Sequence, residues 1–148
     1  MRYLRKYNED NSAGLDEQEL QEFCELNLAF LVDEGLNVII DDYQQDKHYF
    51  PVILSLRRVT NSSWDEVKDQ IIPFVIRLKS QFNLFSFEKD NLYYDIALDV
   101  LFNSGGEIGA YTHYLTADDL ENDRIGGWIK SNCKIKTISF NVKNKKEV

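Results

Sequence analysis

Residues 61–82, NSSWDEVKDQIIPFVIRLKSQF, constrain the fold of this chain more than any other stretch. Trp64, Val67, Ile71, Phe74, Val75, Leu78 and Phe82 recur at spacings of three and four, which places them on one stripe of an α-helix about 100° wide. Ser63, followed three residues later by Glu66, is a capping box and fixes where the helix starts. A helix apolar along one stripe must bury it, and the strand-like segments on either side are the natural cover. Pro73 falls well past the first turn, where a proline removes a hydrogen bond at a cost of about 3 kcal/mol, so a kink is expected near residues 69–72.

Ahead of this helix, Asp16 with Glu19 forms an acidic capping box and opens a helix through about Glu34, with a buried stripe of Leu20, Phe23, Cys24, Asn27, Leu28 and Leu31. Gly35 suits the position after its end. Leu36, Val38 and Ile40 then alternate with polar Asn37 and Asp41, an alternation that Ile39 breaks; residues 44–48 turn the chain, and Phe50, Val52, Leu54 and Leu56 line one face of a returning strand. That pair reads as an antiparallel hairpin, with Pro51 at an edge or at the start of pairing. Further strands are expected at 84–88, 92–102, 108–115 and 134–143, the last with Ile138, Phe140 and Val142 facing in. Asp90-Asn91 and the NSGG run at 103–106 are turn signals, and Thr116 with Asp119 caps a short helix that Gly126-Gly127 stops. The expected fold class is therefore α+β: one domain over residues 1–148, an antiparallel, meander-like sheet with two amphipathic helices packed on one face. Residues 1–15 read as an arm or loop and 144–148 as a frayed tail.

The charge is unevenly distributed. Residues 1–7 carry three basic side chains and residues 130–148 carry six lysines, yet between Lys6 and Lys47 there are twelve Asp or Glu and no Lys or Arg. A surface of that kind repels nucleic acid and anionic membrane and attracts a basic partner. No apolar run approaches the roughly 20 residues that span a bilayer, and the N-terminus has no apolar signal-peptide core, so the expected compartment is the cytoplasm. Cys24 and Cys133, far apart in sequence, are expected as reduced thiols.

The opening MRYLRKYNE resembles the basic, aromatic N-terminal signature of small tailed-phage accessory proteins. A looser likeness follows in the LVDEG turn at 31–35 and in the W-x-E-x-x-x-x-x-IPF helix at 64–74. The resemblance implies a phage accessory gene product at work in a host cell, and it brings no catalytic residues with it.

Motifs for chemistry are sparse. There is no Walker loop, no G-x-G-x-x-G, no H-E-x-x-H and no C-x-x-C pair, and two histidines with two distant cysteines make a poor zinc ligand set. No metal, cofactor or catalytic residue is expected. The leading expectation is a non-enzymatic acidic interaction protein that docks on a basic surface of a host protein through Glu17, Glu22, Glu25, Asp41, Asp42 and Asp46, with no direct contact to nucleic acid or membrane. An alternative is a small-ligand protein that sequesters a nucleotide or signalling molecule with Arg57, Arg58, Tyr93, Tyr111 and His113. A second alternative is a small hydrolase centred on His113. The sequence leaves homo-oligomer formation open.

Overall fold

The structure, a computed structural model, describes residues 17–41, 49–56 and 62–146. Helix α3 (Trp64–Gln81) carries the stripe read from the sequence: Trp64, Val67, Ile71, Phe74, Val75 and Leu78 are all buried. Its capping box is present, with the Ser63 amide donating to Glu66 Oε1 at 2.8 Å. The helix runs unbroken through Pro73, whose ring removes only the bond to the Asp69 carbonyl.

The first helix is divided. α1 (Glu17–Asn27) and α2 (Ala29–Asp33) meet at Leu28, yet the Leu28 and Val32 amides still donate to the carbonyls four residues before them. The helical spacing therefore continues through the joint. Gly35, at φ 110°, ends α2: its amide bonds to the Val32 carbonyl and the Leu36 amide to that of Leu31, the two bonds of a Schellman stop.

The main sheet is antiparallel and runs in the order β1 (Asn37–Ile40), β2 (Phe50–Ser55), β8 (Cys133–Lys145), β6 (Ile96–Ser104), β7 (Glu107–Leu115). Two hairpins, β1–β2 and β6–β7, are thus joined by a central β8, which departs from a plain meander. β3 (Phe82–Leu84) also pairs with β8, opposite β2, since Val142 is the partner of both Phe50 and Leu84. β8 reaches Lys145, two residues into the expected tail. Pro51 lies at the start of β2, as expected, and its carbonyl accepts from the Asp41 amide.

Register puts Val52, Phe140 and Ile96 in one row and Leu54, Ile138 and Leu98 in the next, all buried on one face. Phe74 of α3 packs on Phe140 (ring centroids 6.1 Å) and against Phe23 of α1 (6.1 Å), so both helices cover that face. A bulge then changes the parity of β8. Asp99 pairs with Thr137 but Val100 with Ile135, so Lys136 is skipped and the odd-numbered Ile135 and Cys133 turn into the core.

Residues 92–102 are not one strand. Asp95 interrupts them, accepting from Ser86 Oγ at 2.6 Å and from the Ala117 amide at 2.8 Å. The chain bends there, and β5 (Leu92–Tyr94) pairs with β4 (Phe87–Lys89) in a separate hairpin whose turn, Asp90-Asn91, has φ values of 54° and 68°. The strand expected at 84–88 is correspondingly split between β3 and β4 at Phe85-Ser86. α4 (Ala117–Glu121) is capped by Thr116 Oγ1, which accepts from the Asp119 amide at 3.0 Å. A second short helix, α5 (Gly127–Asn132), begins where the sequence signalled only a stop, because Gly126 serves as its N-cap.

Candidate interaction surface

Burial of Leu20, Cys24, Leu28 and Leu31 orients α1–α2 and decides what faces outward. At about 100° per residue, Glu22, Leu26, Ala29 and Asp33 fall on the side opposite that stripe. All four are exposed, as are Glu17, Glu25, Phe30 and Glu34. Leu26 is 78 % exposed and Phe30, four residues on, 60 % exposed. Two large apolar side chains are therefore held side by side in water, surrounded by carboxylates. Sequence periodicity carried a signal for them, since neither belongs to the buried stripe.

Among the described residues, the charge around this pair has no cationic counterpart. Gln18 and Gln21 amides donate to Glu22 and Glu25, at 3.3 and 2.9 Å, and those are neutral donors one turn away on the same helix. Among the described residues, no lysine or arginine forms an ion pair with Glu17, Glu22, Glu25, Asp33 or Glu34. Of the six acidic residues singled out by sequence, Glu22 and Glu25 share this surface; Glu17 is exposed at the first position of α1 but stands in helical phase with the buried stripe, three residues before Leu20, and Asp41 is half-buried beyond the end of β1. Asp42 and Asp46 lie outside the described residues, as do Arg57 and Arg58.

The residues of the small-ligand alternative are only partly gathered. Tyr111 and His113 are neighbours on β7, their ring centroids 6.4 Å apart, whereas Tyr93 is on β5 in the other sheet. Burial pushes the His113 imidazole below its usual value against the opposing pull of Asp119, so the ring is neutral at physiological pH. A cleft of about 260 Å³ opens elsewhere, between the end of α3, β3 and the start of α4. Its lining includes Lys79, Asn83, Asp95 and Lys146, and, of the alternative's described residues, none of Tyr93, Tyr111 and His113. Lys79 there is paired with Glu121 at 2.5 Å, and both oxygens of Asp95 are taken by the bend described above.

Other groups with chemical potential are likewise committed to structure. Asp99 accepts from Thr112 Oγ1 at 2.6 Å and Thr137 Oγ1 at 2.7 Å, tying three adjacent strands together. Cys24 and Cys133 are free and buried; burial pushes the Cys24 thiol up to about 12 and raises that of Cys133. Among the described residues there is no group of three or more His, Cys, Asp or Glu that could hold a metal ion, and no helix long and apolar enough to cross a membrane. Comparison of the chain with protein-family models, with curated proteins and with solved structures finds no match.

Proposed function

We propose that the chain is a non-enzymatic interaction protein, a phage accessory factor that modulates a host protein by occupying its basic surface. The outward face of α1–α2 is the docking surface. What carries this reading is the placement of Leu26 and Phe30, both exposed, among Glu22, Glu25, Asp33 and Glu34. An apolar centre inside a charged rim is the anatomy of a protein–protein contact: the centre supplies most of the affinity, and the rim supplies encounter rate and choice of partner. The partner's complementary surface is an apolar depression bordered by lysine and arginine. Occupation alone is the mechanism, and it requires no bond to be made or broken.

Paired capture from host lysate tests it, with wild-type protein and a Glu17→Lys/Glu22→Lys/Glu25→Lys variant immobilised side by side. A host protein held by the wild type at low salt, released at high salt and not held by the variant is the expected outcome. Equal retention by the two proteins, or retention indifferent to salt, contradicts it. A small molecule that co-purifies in place of any protein would transfer the case to the ligand-sequestering alternative.

A further inference from the structure

The two outer edges of the main sheet are built differently. β1 closes one side after only four residues, and α1 lies against it, with Gln21 Nε2 donating to the Val38 carbonyl at 3.0 Å. β7 closes the other side after nine, paired with β6 from Glu107 to Leu115 without a register shift. Among the described residues no strand pairs with the outer edge of β7. Soluble proteins protect such an edge with a lysine, a proline, a bulge or a short length. β7, EIGAYTHYL, has none of these, and its one carboxylate is at the first position.

The exposed half of β7 is apolar as well as unguarded. Ile108 is 68 % exposed and Tyr111 49 %; Trp128 of α5, edge-on to the Tyr111 ring at 6.2 Å, is also 49 % exposed. Gly109 between them is bare backbone, and a side chain there would have to displace the Phe102 ring. A Cβ there would stand 2.4 Å from the ring of Phe102, which fills the space.

The geometry points to a second copy of this chain as the occupant: two β7 strands pair edge to edge, antiparallel, about a two-fold axis through Gly109. Charge selects this occupant and this edge. Each copy carries a net charge of −8, so two copies repel across most of their surfaces, whereas residues 108–115 contain no Asp, Glu, Lys or Arg. A basic partner belongs to α1–α2, on the other side of the sheet. In the paired arrangement Ile108 faces the partner's Ala110, Tyr111 faces the partner's Glu107, and bare backbone meets bare backbone at the axis. One continuous sheet results, with the acidic α1–α2 faces at its two far ends. Residues 107–111 and Trp128 from each copy fall well short of the roughly 20–30 residues a side of a standard interface, so the dimer is weak and exchanges rapidly.

Sedimentation velocity from micromolar to millimolar protein tests this. The wild type is expected to rise in average mass towards twice the monomer as concentration increases. Ile108→Lys/Tyr111→Lys is expected to stay monomeric throughout, and Ala110→Lys, a milder change at another exposed edge position, to do the same should the double variant fold poorly. Leu26→Ser/Phe30→Ser, which alters only the α1–α2 face, is expected to dimerise like the wild type. A wild type that remains monomeric at millimolar concentration overturns the inference. So does a dimer that survives both edge variants, or one that the α1–α2 variant abolishes while the edge variants do not.

Discussion

Two acidic regions of this protein handle their charge in opposite ways. Around α3, α4 and α5 each of several carboxylates is held by groups of the same fold: Asp123 accepts from Trp64 Nε1 at 2.6 Å and is paired with Lys130 at 3.1 Å and Lys68 at 3.5 Å. Glu121 is bound by Lys79, and Asp118 and Asp119 by Arg124. On α1–α2 Glu22 and Glu25 accept from the neutral side chains of Gln18 and Gln21, and the apolar residues beside them, Leu26 and Phe30, face water. The first arrangement joins parts of the chain distant in sequence. The second joins nothing within the described residues, and it leaves charge and apolar surface together for something else to use.

Mutations should separate the two regions, and the largest effect belongs to the first. Trp64→Ala removes a fully buried indole together with its bond to Asp123, and should cost about 3–5 kcal/mol in urea denaturation. A loss below about 1 kcal/mol would mean that the Trp64–Asp123 junction does not tie α3 to the α4–α5 segment. On the other side, Leu26→Ser/Phe30→Ser should leave stability within about 0.5 kcal/mol of wild type while weakening partner binding about 30-fold or more.

Asp123→Asn sharpens the comparison through pH. The bond from Trp64, together with Lys130 and Lys68, holds the Asp123 carboxyl below its usual 3.8, and Arg124 and Thr116 hold that of Asp119 down against the opposing effect of burial. A carboxyl with a depressed value in the folded state lends stability that is whole above its ordinary value and is lost as pH falls through its own lower value. The wild type should therefore lose stability on acidification below about pH 4. Asp123→Asn should cost about 1 kcal/mol at neutral pH and make that acid limb shallower, as followed by melting temperature against pH. An unchanged acid limb would remove Asp123 from the account. The smallest effect is expected for Glu22→Lys/Glu25→Lys, whose melting temperature should match the wild type because neither carboxylate has a cationic partner among the described residues. Loss of several degrees would show that these charges stabilise the fold.

Features of this fold set by neighbouring residues were legible in the sequence: the stripe and capping box of α3, the Gly35 stop, the Asp90-Asn91 and Gly105-Gly106 turns, and the α+β class. Features set by distant contacts were not. Residues 92–102 alternate as one strand would, and only the approach of Ser86 and Ala117 to Asp95 bends them. The parity of β8 changes because β6 skips Lys136, and pairing of β8 with both hairpins makes it central, which chain order cannot reveal. For the surface, exposure of Glu22 and Glu25 followed from helical phase, whereas Glu17 is in phase with the stripe and exposed as the first residue of α1. Leu26 and Phe30 were visible by the same phase as apolar residues off the stripe, but composition alone drew attention to the acids.

The most direct test of the docking surface is a titration of the captured partner against wild-type protein and Leu26→Ser/Phe30→Ser, each at low and high salt. The account predicts that the variant, folded and equally stable, binds about 30-fold more weakly at low salt, and that wild-type affinity falls about tenfold or more as salt rises. Equal affinities for the two proteins, with no dependence on salt, would contradict it.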